Sequence, residues 1–543
     1  MESNSTRVRY SILELQEKYE KGDKKPLEDL MRAWKGIKDK EHSDPTSFFS
    51  LASIHGLPYR GEGTTDDGTW GGYCPHGNVL FPVWHRVYIK ELEDQLREIP
   101  GCQDVTLPYW DQTDDYSTQK GLPWVFTNET FELDGKEIQN PLLSYVFQEL
   151  VPDSRGGHEV NYTKPFGYET KRFPLAGQYG NDHVKERSEK HNAKYPDHKT
   201  NTELLNENVR AWISLETGKK YRKCLDAPNY TVFSNSTSAN HYNQENVGFP
   251  IVQSLEGPHN DIHLTIGGFP RPGDYNEKNP QRIFGASGDM GETDTSSFDP
   301  IFWFHHCNID RMFWIWQKRH KATDGFEIIA GDPGTRSAMP MAFLPQDTML
   351  SLDTPLLPFK KIENGEERSY TSRDCFNIEK QFGYSYAPGS LELEPLEHEP
   401  EHYQKKLSRA ATDPDTRVIK FCASNISKTR IRGSFIIEGY LPIPGGEDLY
   451  LGSACVLSRW NLEGCSNCQK HLNVAAYFDI PKIEGLDNPQ PYIRIASRHG
   501  DIHHDPLNTT NQPTQQEEEQ PKKSAPEGVN VQNMTHGIQL NLI

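Results

Sequence analysis

Residues 298–317, FDPIFWFHHCNIDRMFWIWQ, constrain the fold of this chain more than any other stretch. Ile301, Phe302, Phe304, Ile309, Met312, Phe313, Ile315 and Trp316 leave almost no polar side, and Asp299-Pro300 is a helix start signal. The stretch therefore reads as a buried helix that needs apolar partners all round. Set into that surface are His305, His306, Asp310 and Arg311. An imidazole in such a place is costly unless both ring nitrogens are satisfied, and a metal on one side with an acceptor on the other does this. A lone histidine would read as a satisfied core residue, so what matters is whether other histidines converge on this helix.

Two earlier segments supply them. In SFFSLASIHGLPYRG, His55 ends an apolar helical run just before Gly56 and Pro58. In YCPHGNVLFPVWHRVYIKELEDQL, His76 lies in a Gly/Pro loop and His85 opens a helix that continues through Tyr88, Leu92 and Leu96. A loop ligand can fold back onto a helix ligand at this spacing, so His55, His76 and His85 can share one metal. Further on, FPIVQSLEGPHNDIHLTIGGFP places His259 and His263 at i, i+4, on one helical face. That spacing alone is weak evidence. Joined by a histidine of the 305/306 pair, it completes a second set of three, the arrangement of a dinuclear site in a four-helix bundle. Imidazole-only ligation disfavours magnesium and calcium and leaves copper, zinc or iron. Hydrolytic di-zinc sites recruit bridging carboxylates, and none stands inside these motifs, so copper is favoured.

At 543 residues the chain exceeds what one core usually organises, which predicts one large domain and at least one smaller one. A formal net charge of −19 argues against nucleic acid and anionic membrane as partners, and no segment has the apolar length of a membrane span. The first residues lack an apolar signal core, so the chain reads as cytoplasmic. Nine cysteines form no regular framework and suit reduced or specially used thiols. Residues 115–245 show no chemistry, and His183, His191 and His198, set among charges, read as a solvated helix.

The pieces SIHGLPY, CPHGNVLFPVWHRVY, LEGPHNDIH and DPIFWFHHCNIDR resemble the copper-A and copper-B signatures of type 3 copper proteins, specifically fungal-type tyrosinases and catechol oxidases. The resemblance runs from about Arg9 to Tyr386. It implies a mainly α catalytic domain, residues 1–386, in which His55, His76 and His85 hold one copper and His259, His263 and His306 the other. It makes His305 a neighbour of the ligands, and Asp310 an orienter of a ligand imidazole. It joins Cys74 to the His76 ring by a thioether. Glu256 and Asn260, spaced i, i+4 with His259 and His263 on one helix, match the water-holding pair of enzymes that hydroxylate monophenols. Leu264 and Phe302 would line the entrance to the substrate pocket. The implied activity uses O2 to turn monophenols into o-diphenols and o-diphenols into o-quinones, as in melanin formation.

Tyr384-Ser385-Tyr386 resembles the Y-x-Y motif that closes the family's catalytic domain against an arginine, here Arg9. Residues 387–414 are acidic, contain proline and lack apolar periodicity, a solvated linker open to an activating protease. Alternating runs from about Thr416 predict a β-sandwich over 415–500, and 501–543 reads as disordered. In fungal tyrosinases such a domain keeps the enzyme latent. Here Val456, Leu457 or Trp460 would plug the pocket; Cys465 and Cys468 form a C-x-x-C that suits a zinc half-site, a redox pair or a cuprous-binding pair, and the resemblance implies copper delivery. Phenolic small molecules are the expected substrates, and the chain is compatible with a homo-oligomer. The rival readings are a catechol oxidase without monophenolase activity, a hemocyanin-type oxygen carrier and a copper store.

Overall fold

The computed structural model describes residues 6–58, 72–152, 163–177, 182–270, 283, 287–336, 348–392, 418–459, 462, 472–498, 500–504 and 537–543. A short strand β1, Arg7–Arg9, opens the described chain. Helices α1, Lys25–Asp39, and α2, Phe81–Arg97, follow, each with a proline in its first turn. Helices α3, His198–Trp212, α4, Gly218–Leu225, and α5, Ser236–Glu245, occupy the stretch where the sequence showed little periodicity. Helix α6, Glu256–Gly267, ends at Gly268, whose φ of 118° lets the chain turn sharply away. Helix α7, Ile301–Arg319, is buried from Ile301 through Gln317, as its composition requires.

Helix α7 packs on α2 and α6, and α2 on α1, giving the four-helix core expected around residues 298–317. Asp299 starts α7 by accepting from the Ile301 amide at 3.1 Å, and its other contacts go to Arg172. Strand β2, Tyr384–Tyr386, pairs in parallel with β1, so the two ends of the catalytic region are tied together.

The C-terminal part is a two-sheet β structure, as its alternating runs predict. Strands β3, Ile419–Ser427, β4, Phe435–Leu441, β5, Leu449–Val456, β6, Asn473–Ile480, β7, Tyr492–Ser497, β8, Gly500–His504, and β9, Gln539–Leu542, form it. One sheet has the order β5-β4-β7-β8, the other β6-β3-β9, and Phe421, Ile437, Phe478, Ile493 and Ile495 fill the space between them. Two boundaries need correction. The tail is not disordered at 539–542: Leu540 pairs with Ala423 and Leu542 with Phe421, because QLNL alternates well enough to add an edge strand to β3. The linker does not begin at 387 as a free segment either. Ser390 is bound through its amide and hydroxyl to Asp111, and its carbonyl accepts from Arg311; residues 393–417 lie outside the described residues.

Candidate metal centre

The first histidine set is built by close backbone packing. His55 leaves the helix Phe48–Ala52, and the chain then passes so near Asp294 that a Cβ on Gly56 would stand 2.2 Å from the Asp294 carbonyl oxygen. Leu57 donates its amide to that same carbonyl at 2.9 Å. Gly72, at φ +75°, approaches the His55 carbonyl equally closely and brings the loop carrying Cys74 and His76 back over it. The rings of His55, His76 and His85 form a nearly equilateral triangle, with centroids 5.6, 5.7 and 5.7 Å apart. His85 Nδ1 donates to the Phe81 carbonyl at 2.8 Å, so its Nε2 presents a lone pair. Both nitrogens of the fully buried His55 lack a hydrogen-bond partner among the described residues.

The second set meets more tightly. His306 Nε2 lies 3.3 Å from His259 Nε2 and 3.4 Å from His263 Nε2. His263 Nδ1 donates to the Met290 carbonyl at 2.8 Å and His259 Nδ1 to Asn260 Oδ1 at 2.9 Å. The Asn260 orientation follows from its Nδ2, which donates to the Cys455 carbonyl of β5 at 3.2 Å. Lone pairs of two imidazoles therefore converge on Nε2 of a third ring, where either a proton on that nitrogen or a metal ion would meet them. Burial pushes all six histidines below the ordinary imidazole range, His85 down to about 3 and His263 to about 4, which keeps them neutral as ligands must be. The donor atoms thus gather in two groups that suit soft or borderline metal ions, His55, Cys74, His76 and His85 in one and His259, His263, His305 and His306 in the other.

Other sequence expectations fare differently. Asp310 orients no imidazole. Its carboxylate accepts from Arg86 Nε at 2.5 Å and from the hydroxyls of Tyr384 and Tyr386 at 2.6 and 2.5 Å, while Arg9 stands 3.5 Å away. It faces the β1/β2 closure instead of the ligands, and the expected Arg9 partnership with the tyrosines is present, with its guanidinium 3.6 Å from the centre of the Tyr384 ring. Phe302 is wedged between the two histidine sets, 5.0 Å from the His55 ring and 4.1 Å from that of His306, and so is no entrance residue. Leu264 is buried against Ile436, Cys455 and Leu457 of the C-terminal domain. His191 is buried and bonds the Pro174 carbonyl at 2.8 Å, contrary to a wholly solvated helix. Trp460, Cys465 and Cys468 lie outside the described residues.

Glu256 and Asn260 open on a cavity of about 380 Å³ between the catalytic helices and the C-terminal domain, lined also by His76, Lys428, Leu457 and Arg459. The Glu256 carboxylate accepts from the Gly77 amide at 2.9 Å and the Ser236 amide at 2.8 Å, which ties the His76 loop to α5 and α6; burial pushes the carboxyl up despite these donors. Sequence reasoning missed Gln112, which contacts His305, and Arg459, which bonds Asp294 at 2.5 Å beside the His55 turn. Neither carries a local signal, since each acts through a partner more than 160 residues away.

Six neutral histidines in two triads, mounted on a four-helix core, define a type 3 copper protein. The common central domain of tyrosinase matches residues 45–319. The chain is 43% identical to the tyrosinase HcTyr2 of a Hahella species over 92% of its own length and 93% of the relative's, and 39% identical to a tyrosinase of Aspergillus oryzae over 84% and 86%. A solved tyrosinase from Burkholderia thailandensis superposes with a TM-score of 0.78 at 44% identity, covering 91% of this chain and 96% of that one. The chain belongs to the tyrosinase family, and is a tyrosinase-type copper oxidase whose family implies a dinuclear copper centre.

Proposed function

We propose that the protein hydroxylates monophenols to o-diphenols and oxidises o-diphenols to o-quinones, and that its C-terminal domain holds it latent until a protease cuts the linker. When bound, two copper ions would supply the redox chemistry with O2: one oxygen atom enters the ring and the other leaves as water, the two further electrons coming from oxidation of the o-diphenol, so that one monophenol and one O2 give one o-quinone and one water. The chain's own part is to position the phenol and take its proton, which leaves with difficulty because a phenol pKa lies near 10. Glu256 and Asn260 share the cavity wall with His76, and Asn260 also bonds the His259 ring; a water held there by carboxylate and amide would receive that proton.

The observation that carries latency is the Asn260–Cys455 hydrogen bond. In the intact chain the amide donor is taken by the β5 backbone, while Leu457 packs on the same face. Removal of the domain would free Asn260 Nδ2 and open the cavity. Cys74 Sγ lies 3.1 and 3.5 Å from the two nitrogens of the His76 ring, a proximity that supports a bond to that ring. A thioether there would lock the loop ligand, forming one S–C bond with loss of the thiol and ring hydrogens and transfer of two electrons to O2; the copper-loaded chain should then weigh two hydrogens less than its sequence mass.

The decisive experiment supplies copper and either a monophenol or a diphenol before and after limited cleavage between 390 and 412. Quinone absorbance that rises strongly on cleavage with both substrates supports the proposal. Equal activity before and after would remove latency; turnover of diphenols alone would make the protein a catechol oxidase; no turnover would leave an oxygen carrier.

A further inference from the structure

We propose that Gln112 fixes the tautomer of His305 and so keeps this imidazole out of the copper ligand set that its neighbour His306 joins. His305 needs such a restraint. Its ring lies 5.1 to 5.2 Å from those of His259, His263 and His306, and one nitrogen of each of the four rings falls within 4.8 Å of the others. Proximity alone does not tell a ligand from a bystander here.

The hydrogen bonds do. The Arg311 guanidinium can only donate, and its contact with Asn308 Oδ1 at 3.5 Å turns the Asn308 amide so that Nδ2 points away. Asn308 Nδ2 then faces Gln112 Oε1 at 3.3 Å, and the Tyr221 hydroxyl donates to the same oxygen at 2.5 Å. With two donors on Oε1, Gln112 Nε2 is the group that meets His305 Nδ1, at 2.8 Å. An amide nitrogen donates, so Nδ1 must accept and the proton of the neutral ring sits on Nε2. That buried Nε2 has no well-formed hydrogen bond among the described residues. A protonated nitrogen offers no lone pair to a metal. His259 and His263 have the opposite arrangement, donating from Nδ1 to oxygen acceptors and presenting Nε2 bare. No change of charge is involved, only the side of the ring on which the proton rests.

The inference rests on the reading that these histidines bind copper. Gln112→Glu is nearly isosteric, keeps an acceptor for Tyr221 and Asn308, and offers His305 Nδ1 an acceptor in place of a donor. The His305 proton should move to Nδ1, and Nε2 should become a fourth imidazole at the His259/His263/His306 copper. X-ray absorption of the copper-loaded Gln112→Glu protein should count one more imidazole per copper pair than the parent, and the gain should vanish in Gln112→Glu/His305→Asn. An unchanged count, or a gain that survives loss of His305, overturns the proposal. Independently, 15N spectra of the metal-free parent, assigned by the resonance missing from His305→Asn, should show His305 with bare Nδ1 and protonated Nε2. The reverse tautomer overturns the proposal whether or not the Glu variant folds. Failure of the parent to take up copper would count against the metal reading alone, since the tautomer is read without metal.

Discussion

Asn260 makes two hydrogen bonds of different consequence, one to the His259 ring and one to the C-terminal domain. Asn260→Gly removes both, so in the cleaved protein it should lower monophenol hydroxylation by about 10²-fold, a typical size for a positioned proton-transfer group, while diphenol oxidation falls less. Initial rates on paired substrates check this, and an unchanged monophenol/diphenol ratio would sink the assignment. Asp310 is a stability residue: burial pushes its carboxyl up, but Arg86, Arg9 and the two tyrosine hydroxyls outweigh this and hold it below the ordinary range. A folded pKa below the unfolded one gives stability that is present above the unfolded value, about 3.9, and is lost as pH falls through the folded value. Asp310→Ala should cost about 3 kcal/mol or more at neutral pH by leaving Arg86 uncompensated, and should flatten the loss of stability below about pH 4, both readable by denaturant titration. The ligand histidines were legible because their spacing sits inside short motifs. Asp310 was not, because Arg86 and Tyr384 reach it from more than seventy residues away in either direction.

Helix α7 was readable as an element because its apolar residues surround it, and α2 because Tyr88, Leu92 and Leu96 mark its apolar face, although it starts at Phe81 and not at His85. Helices α3 to α5 were not read, since their buried faces are narrow and set among Asn, Lys and Glu that suit a surface loop equally well. The four residues of β9 are too few to announce a strand and become one only beside β3. At this scale the C-terminal domain is fastened by charge: Arg459 to Asp294, Arg498 to Glu292 at 3.3 Å, and Ser453 Oγ 3.4 Å from Lys220, whose ammonium bonds Asp261 at 2.7 Å. All of these catalytic-side carboxylates are buried under the domain. Truncating one partner of a buried pair costs about 2–5 kcal/mol at such an interface. Arg459→Ala should therefore raise diphenol oxidation by the uncleaved chain at least about tenfold, each 1.4 kcal/mol being a factor of ten; an uncleaved variant as inactive as the parent would show that this contact does not hold the domain.

As a whole, the molecule places a buried, histidine-lined centre in a helical core and sets a β domain over a cavity of about 380 Å³ beside it. The division into a helical catalytic region and a β domain was readable in the change from helical to alternating periodicity near Thr416. The seating of one on the other was not, because it depends on Cys455, Leu457 and Arg459 meeting α6 and the 289–298 turn across distant sequence. The reading that His306 and not His305 holds copper draws on every scale: the side of a ring that carries its proton, the place of each residue on α7 and the packing of α7 on α6. Copper per chain measured on the parent, His306→Ala and His305→Ala tests it most directly. Two coppers in the parent, about one in His306→Ala and two in His305→Ala are predicted; loss of a copper from His305→Ala, with both kept in His306→Ala, would contradict the account.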